Sequence, residues 1–194
     1  MPTSSLASVT DRALARRAGL GDDEAFAQLF ERHFPSTYRY GVHMLEGDEA
    51  LAQDAAQEAW VKAWTHLSDF EGRSQVRTWL FTIVAREVAD IRRRRRPTVL
   101  DHDDLQQIEA ARLGASLHAY PSSEDKAVDA HLWATLSAAL TELPWRQRAS
   151  WLLRTFDQMS YEEIATVLNT TPTVVRGQLH RARRTLAIRM EQWR

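Results

Sequence analysis

Cysteine is absent from the 194 residues, which rules out a disulfide framework, a thiolate zinc site and a thiol redox switch within the chain. Long apolar runs are missing too. No stretch approaches the ~20 apolar residues that span a bilayer, and the first 17 residues lack the apolar centre of a signal peptide, so the chain is expected to avoid membrane insertion and to stay in the cytoplasm. Nor is there an excess of either charge. A net charge of −1, taken as an average, speaks against nucleic acid as a partner, because affinity for phosphates comes from clustered Lys and Arg. The average hides a separation. Arg92 to Arg96 form an unbroken basic run and Arg176, Arg181, Arg183, Arg184 and Arg189 crowd the C-terminus, whereas Asp48, Asp54, Glu58, Asp101, Asp103 and Asp104 lie elsewhere. Such a distribution fits two partners of different kinds, one of them anionic.

Catalytic constellations are equally scarce. His102, Asp103 and Asp104 have metal-ligand chemistry but fall in a predicted linker, and Asp54 with Glu58, one helical turn apart, lie in a polar stripe with no nucleophile motif or glycine-rich loop nearby. No metal, cofactor or enzymatic activity is expected.

Hydrophobic residues make up 44% of the chain and include seven Trp and six Phe, enough for packed cores. Strand signals are few and apolar residues recur at helical spacing, which predicts an all-α fold of two small helical domains. In the first, residues 10–96, Phe26, Leu29 and Phe30 form a stripe that Pro35 is expected to interrupt. Gly47 and Asp48 introduce a second helix with Trp60, Trp64 and Leu67 on one face and Asp54, Gln57, Glu58 and Lys62 on the other. A loop at 70–74 follows, and then a helix from Arg77 whose buried stripe is Leu80, Ile83, Val84, Val88 and Ile91. Periodicity fades over 97–125, the predicted flexible linker. It returns over 126–194 with Leu132, Trp133, Leu136 and Leu140.

The most specific signal lies at 160–184. Ser160 with Glu163 makes a capping box. Asn169, Thr170 and Thr171 form a short turn, Asn169 being able to take a left-handed conformation. Thr171 then caps the next helix, Pro172 suits its first position, and Val175, Leu179, Ala182 and Leu186 make its buried seam. The result is a helix-turn-helix whose second helix turns Thr173, Arg176, Arg181 and neighbouring arginines outward. Arg176 and Gln178 are expected near base edges, and Arg181 and Arg183 near phosphates.

These residues resemble a known family. The strings LPWRQR at 143–148, MSYEEIA at 159–165 and VRGQLHRAR at 175–183 are similar to region 4 of extracytoplasmic-function (ECF) sigma factors of the sigma-70 family. In the first half, DAAQEAW at 54–60 and RTWLF at 77–81 resemble region 2. The resemblance implies binding to core RNA polymerase, with Asp54, Gln57, Glu58 and Lys62 docking on the β′ clamp coiled coil and region 4 meeting the β flap. It implies that the loop holding Phe70, Gly72 and Ser74 takes a flipped base of the promoter −10 element. Arg77, Thr78, Trp79 and Arg86 would serve −10 reading and melting, and Thr171, Thr173, Arg176, Gln178, Arg181 and Arg183 the −35 element. Trp79 matches the first of a tandem aromatic pair and Leu80 replaces the second, a departure that implies weaker melting. An anti-sigma factor is a further implied partner. The rival reading is a stand-alone helix-turn-helix regulator that does not bind polymerase.

Overall fold

The computed structural model describes residues 9–95 and 126–191; the predicted linker and the acidic group around His102 lie outside them. All regular structure among the described residues is helical. Helices α1 (Asp11–Ala18), α2 (Asp23–Met44), α3 (Glu49–His66) and α4 (Val76–Arg95) form the first half, and α5 (Lys126–Thr141), α6 (Trp145–Thr155), α7 (Tyr161–Val167) and α8 (Pro172–Arg189) the second.

Short polar side chains set most helix starts. Thr10, Asp22, Asp48, Ser160 and Thr171 each accept a hydrogen bond from the backbone N–H three residues on, satisfying donors that a first turn leaves without partners. The capping box is complete, with the Ser160 N–H donating to Glu163 Oε2 at 2.8 Å and the Glu163 N–H to Ser160 Oγ at 3.1 Å. Asn169 has φ of 49°, the left-handed conformation expected of it.

Two expectations need correction. Helix α2 runs through Pro35 without a break. The ring removes one N–H donor, but Pro35 and Glu31 are both exposed, so water can satisfy the carbonyl left without a partner. On the inner face Thr37 Oγ1 bonds the His33 and Phe34 carbonyls and accepts from Trp60 Nε1 at 3.1 Å, pinning α2 to α3. The chain also forms α1, a helix before the first predicted one. Leu14, Ala15 and Ala18 are its buried face, packed in a small core with Leu29, Trp60, Leu67 and Leu80.

The larger core joins the two halves. Tyr40, Phe81, Val84 and Val88 belong to the same buried cluster as Leu140, Leu153, Ile164 and Leu179. Helices α2 and α4 pack against α5, α6 and α7. Polar contacts follow the apolar ones: the Arg148 guanidinium, 4% exposed, donates to the carbonyls of Thr141 at 2.6 Å and of His43 at 3.4 Å, and Arg92 lies 4.7 Å from the Trp145 ring centroid.

Candidate functional site

Three surfaces carry the residues singled out from the sequence. The first is the exposed face of α3. Alanines 52, 55, 56, 59 and 63 bury the opposite side, and their small size lets α3 lie close against its neighbours. Asp54, Gln57 and Glu58 are consequently left in solvent. Lys62 belongs less to that face than its spacing implies. Its Nζ is 2.9 Å from Glu87 of α4 and 3.4 Å from Glu58, and the Glu87 hydrogen bond holds its pKa above the ordinary lysine value. Lys62 is thus a strut between α3 and α4. Val61, 54% exposed, and Trp64, 39% exposed, share the outer face, whereas spacing puts Trp64 on the face of Trp60 and Leu67, opposite the carboxylates. Together they give an apolar strip flanked by carboxylates.

The second surface is the connection from α3 to α4. A 3₁₀ turn at Leu67–Asp69 leads into the loop, Gly72 takes φ of +71°, and the Phe70 ring rests 5.2 Å from that of Trp79. Trp79 is half-buried, neither a core side chain nor an open wedge. A cavity of about 530 Å³ opens beside Gly72, Ser74 and Arg77, and a second of about 440 Å³ lies against Glu71 and Leu67; Phe70, Gly72 and Arg12 line both. Arg86 is exposed further along α4.

At the start of α4 the second half intrudes. Arg77 Nη1 donates to the Asp157 carbonyl at 2.9 Å, and its Nη2 lies 3.4 Å from Glu163 Oε1. Thr78, buried, donates to the same Glu163 oxygen at 3.1 Å. Arg39 approaches the Asp157 carboxylate at 3.6 Å. Burial pushes the Asp157 carboxyl up to about 6, although Arg39 and Arg77 oppose the shift. Burial also works to raise Glu163, but hydrogen bonds from the Ser160 N–H and Thr78 and the Arg77 charge outweigh it, so this carboxylate stays below its ordinary range.

A pH dependence follows. Asp157 binds its proton more tightly in the fold than in the unfolded chain, so its contribution is full below about pH 4, declines as pH rises, and is lost above about 6. His43, stacked on Phe156 at 5.6 Å, works the other way: burial, with Arg39 and Arg148, lowers its pKa, so its contribution is lost as pH falls. Comparing the wild type with Asp157→Asn isolates the first group. The variant is expected to be the more stable at pH 7, with the advantage shrinking toward pH 4; urea denaturation at several pH values checks this, and a constant difference would contradict it.

The third surface is α8. Thr171, Thr173, Arg176, Arg181 and Arg183 are exposed, and the Arg176 guanidinium lies 5.9 Å from the Tyr161 ring centroid. Gln178 does not join them. It is 3% exposed and accepts from Ser150 Oγ at 2.7 Å, so the expectation that it lies near bases is corrected. Position 178 is three residues after Val175 and four before Ala182, both of the buried seam, and that spacing already places it inward. Gly177 has room for a methyl group, which would meet only Arg181 Nη1, at 3.5 Å. Gly177→Ala should therefore stabilise the fold by about 0.5–1 kcal/mol, read as a rise in thermal midpoint.

This arrangement has known counterparts. The family model for Sigma-70 region 2 matches residues 29–98, and that for Sigma-70, region 4 matches residues 134–186. The chain is 32% identical over 177 residues to the RNA polymerase sigma-H factor of Pseudomonas aeruginosa, covering 89% of this chain and 90% of the relative. It is 31% identical over 183 residues to the ECF RNA polymerase sigma-E factor of Escherichia coli, covering 90% and 91%. The chain belongs to the ECF sigma factors of the sigma-70 family. Among solved structures, CnrH in complex with the cytosolic domain of CnrY superimposes on this sigma factor with a TM-score of 0.68 at 26% identity, covering 94% of this chain and 97% of that one. The sigma factor RpoE in complex with the anti-sigma factor NepR from Bartonella quintana gives 0.64 at 25% identity, covering 86% and 96%. Loop 70–74 and the exposed face of α3 fall within region 2 of this sigma factor, and the helix-turn-helix within region 4. Helix α1 precedes the region 2 match.

Proposed function

We propose that this sigma factor binds core RNA polymerase in the cytoplasm and directs it to promoters, catalysing no reaction itself. The observation that carries the reading is the match to both regions, in order, on a fold that keeps their outward faces separate. In this reading the exposed face of α3 docks on the β′ clamp coiled coil through Asp54, Gln57 and Glu58, with Val61 and Trp64 supplying buried area and Lys62 bracing the helix. Region 4 meets the β flap and reads the −35 element with Thr173 and Arg176, while Thr171, Arg181 and Arg183 grip phosphates. Loop 70–74 holds a flipped −10 base, the fitted cavity offsetting an unstacking cost of a few kcal/mol. Arg77, Thr78, Trp79 and Arg86 serve the adjoining duplex.

Arg77 and Thr78 hold region 4 in this structure, so promoter engagement requires the two halves to part at α7. An anti-sigma factor that keeps them together would hold the protein inactive. Both solved neighbours are complexes, one of them named as containing an anti-sigma factor, and that supports such a partner here.

Core binding separates this reading from a stand-alone regulator. The double variant Asp54→Ala, Glu58→Ala is expected to weaken affinity for purified core polymerase about tenfold or more, since carboxylates paired across an interface contribute a few kcal/mol, with the helical content unchanged. Undiminished core affinity would remove α3 from the interface; no core binding by the wild type would favour the regulator.

A further inference from the structure

Arg12 lies outside the region 2 match and outside the loop, yet it lines both loop cavities. Its Nε, Nη2 and Cζ atoms stand at 3.3, 3.3 and 3.4 Å from the point where a Cβ on Gly72 would sit. Near-equal distances to three guanidinium atoms mean that the plane lies face-on against the Gly72 backbone. The same side chain lines both cavities.

Helix α1 fixes this placement. Asp11, the neighbouring residue, is tied to α2 by Arg32 Nη1 at 2.9 Å and His33 Nε2 at 2.7 Å, and Leu14 and Ala15 are buried beneath. The Asp11 carboxylate is thereby committed. Among the described residues the Arg12 guanidinium itself has no hydrogen bond or ion pair. Arg12 is exposed to solvent; of the other arginines lining the cavity beside Ser74, Arg73 is paired with Glu71 at 2.9 Å and Arg77 is already engaged by Asp157 and Glu163. A planar donor without a partner among the described residues, held against a loop of positive φ, is shaped to meet two adjacent acceptors.

We propose that Arg12 is a specificity-determining residue for the nucleotide that the loop captures, donating in bidentate fashion to a base with two neighbouring acceptors. This rests on the reading of loop 70–74 as the −10 base pocket. Cytosine offers O2 and N3 once it leaves the stack, and guanine offers O6 and N7; adenine and thymine alternate donors with acceptors along each edge. Arg12 thus selects cytosine or guanine over adenine or thymine at the captured position. Gly72 is part of the device, since a side chain there would press on the guanidinium and strain the backbone.

The test uses holoenzyme assembled from the full chain and core polymerase, with single-stranded non-template oligonucleotides permuted through the four bases at each −10 position. The wild type is expected to prefer C or G over A or T at one position by on the order of tenfold. Arg12→Ala and Arg12→Lys should both lose that preference while leaving the other positions unchanged. Lysine is decisive: it keeps the charge but not the planar pair of donors, so a preference retained by Arg12→Lys means a charge contact and overturns the proposal. Unaltered discrimination in Arg12→Ala, with loss in Phe70→Ala, would also overturn it while sparing the pocket. If Phe70→Ala left every preference intact, the pocket reading would itself fall, and Arg12 with it. A thermal midpoint for Arg12→Lys close to that of the wild type confirms that the preference is read on a folded protein.

Discussion

Arg176→Ala is expected to lower the affinity of the holoenzyme for its cognate promoter by about tenfold to a hundredfold while leaving core affinity unchanged, because an arginine paired with a base edge contributes about 1–3 kcal/mol of discrimination. The geometry favours Arg176 over its neighbours for this role. It stands one turn into α8 from the Thr171 cap, exposed, beside Tyr161 of α7, and the N-terminal residues of a recognition helix are those that reach base edges. Arg183 lies two turns further along, where loss of a phosphate contact should weaken binding similarly for all sequences and flatten the salt dependence. Electrophoretic mobility shifts on promoters with single −35 substitutions distinguish the two patterns. Arg176→Ala binding that is as tight and as selective as the wild type would remove this residue from base reading.

The second large effect concerns the fold. Phe81 is fully buried, its ring edge-on to Tyr40 with centroids 5.7 Å apart, in the cluster that also holds Leu140, Leu153 and Ile164 of the second half. Phe81→Ala leaves a cavity where the two halves share one core and should cost about 3–5 kcal/mol. That is a large share of the 5–15 kcal/mol that a domain possesses, so partial unfolding at 37 °C is expected. Urea denaturation measures it, and a loss below about 1 kcal/mol would mean that the site collapses around the missing ring.

Local signals in the chain proved the most readable. Ser160 with Glu163, Asn169, Thr171 and Pro172 act within a few residues of one another, so the helix-turn-helix could be inferred from spacing and cap chemistry, and the structure bears it out. Pro35 shows the limit of local rules: a lost hydrogen bond on an exposed face of α2 is tolerated once tertiary packing fixes the helix on both sides. Gln178 shows that position outranks residue type: an amide suits a base edge, but its spacing from Val175 and Ala182 puts it inside. Phe81 falls outside the single stripe of Leu80, Val84 and Val88 and is nonetheless buried, since α4 is covered on two sides and a two-sided helix has no single seam.

What no local pattern disclosed is the closure between the halves. Arg77 and Thr78 are separated from Glu163 by more than 80 residues, and nothing in either segment advertises the other. The same holds for Arg12, whose meeting with Gly72 depends on α1 packing beside the turn at Leu67–Asp69. Contacts of this kind are set by how helices pack, and a linear reading sees only the polar side chains that later make them.

Run-off transcription with purified core polymerase, the purified chain and a pool of genomic promoter fragments tests the central claim most directly. The account predicts that adding the chain concentrates RNA 5′ ends at a defined set of sites sharing spaced −35 and −10 sequences, and that Arg176→Ala and the Asp54, Glu58 double variant each abolish this focusing for different reasons. Transcripts that begin at the same scattered positions with or without the chain would contradict it.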